Sequence, residues 1–159
     1  MSYIEVNGKV KDELKNLSND VALKVIELMG FSNNLEVAID FVSEKEIQRL
    51  NSDFRGIDRV TDVLSFPSFQ IEAGELLDET SVEVQMSVQE NGLIHFGDMA
   101  ICLKQTERQA KEYGVTTEAE VKKLVIHSML HLMGYDHIED DDYLVMNKKE
   151  IELDEKIEI

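Results

Sequence analysis

Residues 117–137 read TEAEVKKLVIHSMLHLMGYDH, and the interpretation of this stretch governs the rest of the chain. Thr117 with Glu120 three residues on has the form of a capping box, which opens a helix. Val121, Leu124, Val125 and Leu132 recur at helical spacing and give that helix a core face. His127 and His131 lie four residues apart, about one helical turn, so both project from one side. Gly134 can take the left-handed conformation that ends a helix and turns the chain back, returning His137 towards the first two rings. A single helical histidine is more often a polar surface or core residue than a ligand. Here three of the four histidines in the chain fall within residues 127–137. Three neutral imidazoles with a fourth position open is a usual way of holding catalytic zinc. The expectation is one Zn2+ per chain on His127, His131 and His137, in an H-x3-H-x5-H motif.

The same histidine spacing occurs in zinc proteases of the H-E-x-x-H-x-x-G-x-x-H type. Those enzymes place a glutamate after the first histidine as general base. This chain has Ser128 there, whose hydroxyl cannot hold a proton near neutral pH. The motif therefore argues against peptide hydrolysis by that route.

The chain has 159 residues, a size that fits a single domain (1–159) with one solid core. Its start, MSYIEV, lacks the basic and apolar run of a signal peptide, and no apolar stretch is long enough to cross a bilayer. Cys102 is the only cysteine, so an internal disulfide is impossible and a reducing cytoplasm fits. The formal net charge of −17 speaks against indiscriminate nucleic-acid binding, which needs Lys and Arg to neutralise phosphates. The negative charge is uneven: residues 139–159 hold nine acidic side chains and three lysines, as a solvated helix face would.

Alternation over residues 3–6 and 35–42 reads as strands, and residues 10–29 as a helix with Leu14, Leu17, Val21, Val25 and Leu28 on one stripe. Ser43 and Glu46 open a second helix reaching about Phe54. Residues 60–66 and 98–103 read as strands, 104–113 as a helix, and 139–157 as a last amphipathic helix with Leu144, Met146, Ile151 and Leu153 as packing positions. Residues 68–95 are the least defined; Val82, Val84, Met86 and Val88 suit an extra strand or a mobile insertion equally. The order of elements predicts an α+β domain with a mixed sheet of about four strands and about five helices.

A second constellation lies at residues 50–67, LNSDFRGIDRVTDVLSFP. Arg55 stands before a glycine at a helix end, where a guanidinium can reach into a cleft and grip two phosphate oxygens. An ion pair with Asp53, Asp58 or Asp62 is the competing reading. Phe54, Phe66 and Tyr135 lie near the motifs and are expected mainly in the core. His95 is expected to be an ordinary loop or strand residue.

Taken in order, LN-x-x-FRG, TDVLSFP, Gly97-Asp98 and H-x-x-x-HL-x-GYDH resemble the bacterial YbeY family over essentially the whole chain. These are zinc-dependent endoribonucleases of ribosomal RNA maturation. The resemblance implies a cytoplasmic, single-strand-specific enzyme acting on small-subunit ribosomal RNA 3′ ends and in ribosome quality control. It implies His127, His131 and His137 as zinc ligands and Arg55 as the important arginine of the cleft. Val60 replaces a proline common in the family, and residues 68–95 are long. The acidic composition adds an expected dependence on the pre-ribosome or a small-subunit ribosomal protein. Two other classes fit the same residues: a zinc hydrolase of other esters or amides, and a non-catalytic assembly factor with a structural zinc. Asp136 can orient an imidazole, Asp136 or Glu139 can complete such a structural site, and either water or the RNA 2′-OH can serve as nucleophile.

Overall fold

In a computed structural model, the chain is described everywhere except residues 33, 73–74, 136–139 and 159 and the side chain of residue 140. Its elements run β1 (Tyr3–Asn7), α1 (Asp12–Leu28), β2 (Leu35–Val42), α2 (Glu44–Arg55), β3 (Val63–Pro67), α3 (Val82–Gln85), β4 (Ile94–Cys102), α4 (Leu103–Tyr113), α5 (Thr117–Leu132) and α6 (Asp140–Lys156). The sheet order is β1-β2-β4-β3; β1, β2 and β4 are parallel and edge strand β3 is antiparallel to β4. This is the expected α+β domain with a four-stranded mixed sheet.

The two faces of the sheet are covered unequally. Ile94, Phe96, Met99 and Ile101 of β4 join the main core with α1 and α5, where Val21, Val25, Val125 and Met129 are fully buried. Ala100 and Cys102 of the same strand point the other way, onto Ile47 of α2. Helices α2 and α5 therefore flank edge strand β3 from opposite faces. The shift in β4 spacing from 96 to 99 marks a bulge: Glu36 faces His95 and Val37 faces Gly97, leaving Phe96 without a partner on β2. The extra residue puts His95 and Asp98 on one face of the strand, which spacing of three in a regular strand forbids. Gly97 sits where a Cβ would fall 2.6 Å from Leu132 and 2.8 Å from the Phe66 carbonyl, so the bulge brings β4 hard against the end of α5.

Several expectations are corrected. The cap of α5 is Thr116, whose hydroxyl accepts from the Ala119 amide; Glu120 is buried instead of reaching back. Residues 82–85 form a short helix capped by Ser81 in place of a strand, because Val84 alone is pulled into the core while Val82 and Met86 face solvent. Strand β3 starts at Val63, since the Asp62 carboxylate takes the Val63 amide and turns the chain first. Strand β4 starts at Ile94, four residues earlier than the alternation at 98–103 indicates. Leu28, Leu144 and Ile151 stay substantially exposed; Met146 and Leu153 are the buried anchors of α6.

Candidate metal centre

Helix α5 is built to hold its side chains still. Nine of its residues are buried, and Ser128, the residue in the protease-glutamate position, is bonded through Oγ to the Ser65 hydroxyl at 2.7 Å. Ser128 thus ties α5 to β3, and that explains the serine in the TDVLSFP motif as well.

His127 and His131 project from the same helix side as expected, with ring centroids 4.6 Å apart and Nε2 atoms separated by 3.1 Å. Each Nδ1 has its own acceptor. His131 Nδ1 donates to the Tyr135 carbonyl at 3.0 Å, and His127 Nδ1 to Glu150 Oε1 of α6 at 2.7 Å. A carbonyl only accepts, so in neutral His131 the proton is on Nδ1 and Nε2 carries the lone pair. The Glu150 carboxylate imposes the same tautomer on His127. Two lone pairs directed at each other repel unless a proton or a cation lies between them. Two imidazoles at bond lengths of 2.0–2.1 Å in a tetrahedral zinc site have nitrogens about 3.3 Å apart. The observed spacing fits that donor geometry, and an outer carboxylate or carbonyl on Nδ1 is the usual companion of a metal-binding histidine.

The third expected ligand, His137, and its neighbour Asp136 lie outside the described residues. Among the described residues no group of three or more His, Cys, Asp or Glu side chains surrounds a common point. Gly134 adopts the expected left-handed turn at φ +102°, with the Tyr135 amide closing back on the Leu130 carbonyl. Glu150 and the Tyr135 carbonyl were not legible in the sequence: one lies on another helix and the other is main chain.

Arg55 ends α2 and is exposed. Gly56 caps the helix at φ +69°, and the buried Asn51 amide donates to the Arg59 carbonyl, holding the loop that leads to β3. The three carboxylates that compete for Arg55 in sequence are engaged elsewhere. Asp53 pairs with Arg49 at 3.0 Å, Asp58 accepts from Gln48, and Asp62 accepts from Gln109 and the Val63 amide. Among the described residues Arg55 makes no ion pair. Phe54 beside it is 66% exposed and meets Phe66 edge-on at 5.1 Å, which corrects its placement in the core. Tyr135 is half-buried against the main core.

A groove of about 490 Å³ lies between α2 and the sheet, lined in part by Asp40, Asp98, Glu46 and Phe54. Its carboxylates are engaged: Glu46 pairs with Arg49, Asp98 bonds His95 and Asp40 accepts from Asn7. His95, near Asp98, has both ring nitrogens on carboxylates: Glu36 at 2.7 Å and Asp98 at 3.1 Å. Burial opposes its charge, but the bonds to Asp98 and Glu36 outweigh that and hold its pKa above the ordinary value. No described helix is long and apolar enough to cross a membrane.

Fold and site together describe a compact α+β protein whose central helix aims two imidazoles at one point. The endoribonuclease YbeY family model matches residues 3–158, and the chain belongs to that family. Relatives named endoribonuclease YbeY include that of Clostridium botulinum (strain Kyoto / Type A2), 35% identical with 91% of this chain and 89% of the relative covered. That of Finegoldia magna is 40% identical over 89% of this chain and 82% of its own. That of Clostridioides difficile is 38% identical over 95% and 90%. The solution structure of TM1509 from Thermotoga maritima superposes with a TM-score of 0.59 at 31% identity, covering 98% of this chain and 88% of that one.

Proposed function

We propose that the chain is a metal-dependent endoribonuclease that cuts single-stranded ribosomal RNA during small-subunit 3′-end maturation and in ribosome quality control. It would hold one Zn2+ on His127, His131 and His137. The observation that carries this reading is the pair of Nε2 atoms 3.1 Å apart, each ring fixed through Nδ1. When bound, such an ion supplies Lewis acidity that polarises a phosphoryl oxygen or activates a nucleophile. The chain's own part is to keep both Nε2 lone pairs presented: Glu150 and the Tyr135 carbonyl fix the tautomers, and the Ser65–Ser128 bond fixes α5 against β3.

Arg55 is the residue proposed to stabilise charge on the transferring phosphate. Its guanidinium is exposed while neighbouring carboxylates are engaged. Arg55 ends α2 and the histidines ride on α5, two helices that pack on opposite faces of the sheet beside β3. The net charge of −17 supports reliance on the pre-ribosome or a small-subunit ribosomal protein for recruitment, and the single buried Cys102 agrees with a cytoplasmic setting.

The test is cleavage of single-stranded and duplex RNA by zinc-loaded and chelator-treated protein, with 3′ ends of the products identified. Zinc-dependent cutting of the single strand is expected, and Arg55→Ala is expected to lose cleavage while retaining zinc. A 2′,3′-cyclic phosphate end assigns the nucleophile to the 2′-OH. Zinc removal that unfolds a chain inert towards RNA favours an assembly factor instead.

A further inference from the structure

The segment between β3 and β4 is tied down at several points. The Ser68 amide donates to the Phe96 carbonyl, Phe69 is buried in the main core, and the Leu77 amide donates to the Met133 carbonyl at 2.9 Å. Further along, Glu79 grips the α1–β2 connection at Ser32 with both oxygens. Ser32 donates to it from its amide at 2.9 and 3.0 Å and from its hydroxyl at 2.5 Å. Gln85 of α3 donates to the Glu79 carbonyl at 2.6 Å, closing the far end.

Where this strap crosses the end of α5 it leaves no slack. A Cβ on Gly134 would lie 3.0 Å from the Glu75 carbonyl and 3.1 Å from the Ile71 side chain. Gly134 is followed by Tyr135, the residue whose carbonyl orients His131. A chain of contacts therefore runs from the Glu79–Ser32 clamp through Leu77 and Met133 to the turn, and from the turn to the ring of His131.

We infer that Glu79 is a positioning residue for the metal centre: by anchoring the strap to Ser32 it holds the 133–135 turn and, through the Tyr135 carbonyl, the His131 ring. The inference rests on the metal reading above. It concerns a carboxylate in the part of the chain that sequence patterning left undefined, and it makes the long β3–β4 connection part of the site's support.

The test uses the full chain and Co2+ as a spectroscopic probe, reading the visible absorption of the bound ion and its dissociation constant. Glu79→Ala is expected to weaken Co2+ by about three- to tenfold and alter the band shape, less than the roughly 10–100-fold of losing a direct partner of a ligand, because Glu79 acts one step further out. Ser32→Ala is expected to act in the same direction, and the double variant to be no worse than Glu79→Ala. Glu79→Gln, which keeps one acceptor oxygen, should recover part of the loss, whereas Glu83→Ala in the same segment should change nothing. If Glu79→Ala lowers the melting temperature but leaves Co2+ affinity and spectrum unchanged, the strap is only structural and the inference falls. An equal loss with Glu83→Ala also overturns it, since local charge is then the cause. Failure of the unmodified chain to bind Co2+ overturns the metal reading itself.

Discussion

His127 and His95 each have a carboxylate 2.7 Å from Nδ1, yet their environments make opposite use of the ring. At His127, Glu150 takes Nδ1 and Nε2 faces His131 Nε2. At His95 a second carboxylate, Asp98, takes the other nitrogen as well. An imidazole between two carboxylates donates at both ends only as the cation, and it has no lone pair left for a metal. One carboxylate orients a ligand; two consume it. The strand bulge at Phe96 makes the difference, because it brings residue 98 onto the face of residue 95.

The most severe way to break this comparison is to delete each ring. His127→Ala and His131→Ala are expected to abolish stoichiometric zinc binding and reduce RNA cleavage by several orders of magnitude. His95→Ala should retain a full zinc equivalent by atomic absorption. Zinc retained with His131→Ala, or lost with His95→Ala, would invert the assignment.

Removing the orienting carboxylate has a smaller expected effect. Glu150→Ala leaves both imidazoles in place but frees the His127 tautomer, and zinc affinity should fall about 10–100-fold. Competition with a chromogenic chelator measures this directly. Glu36→Ala, the equivalent deletion at His95, should leave zinc affinity untouched.

The histidine comparison also shows what sequence could reveal. Spacing of four on a helix was enough to place His127 and His131 on one side, because α-helical geometry fixes that relation locally. The strands at 3–6 and 35–42 and the buried stripe of α1, Leu28 apart, were equally accessible from alternation and periodicity, whereas which strands run parallel was not. Glu150, 23 residues from its histidine, was not, since nothing local relates α6 to α5. The His95–Asp98 pair was hidden because a regular strand puts those residues on opposite faces, and only tertiary pairing reveals the bulge. The helix at 82–85 was missed for a related reason: its alternating valines satisfy a strand pattern, whereas the Ser81 cap decides the local structure.

A pH titration sharpens the contrast without touching the metal centre. The His95 pKa is raised in the fold, so the Glu36–His95–Asp98 clasp stabilises fully below the unfolded value of about 6.5 and is lost as pH rises through the folded value. Asp40 of β2 lines the same groove as Asp98. His95→Gln cannot titrate. The stability gap between parent and variant in urea unfolding should be on the order of 0.5–1 kcal/mol near pH 6, given partial exposure, and should close by about pH 9. A gap that widens with pH would mean that His95 is held neutral.

Glu120 supplies the converse case, a carboxylate with no imidazole beside it. It is 2% exposed, one oxygen has no hydrogen-bond partner among the described residues, and its nearest cation, Lys123, stands 4.0 Å away. Burial raises its pKa, Lys123 opposes that, and Asp62 adds to it. A carboxyl whose folded pKa is raised costs nothing below the unfolded value and destabilises progressively as pH climbs through the folded one. Glu120→Gln is therefore expected to raise the melting temperature at pH 7 by about 2–4 °C, the shift for roughly 1 kcal/mol in a domain of this size. The gain should disappear near pH 4, where the parent side chain is neutral too. Equal melting curves at both pH values would show that the buried oxygen is solvated after all, and that a carboxylate in this core needs no partner.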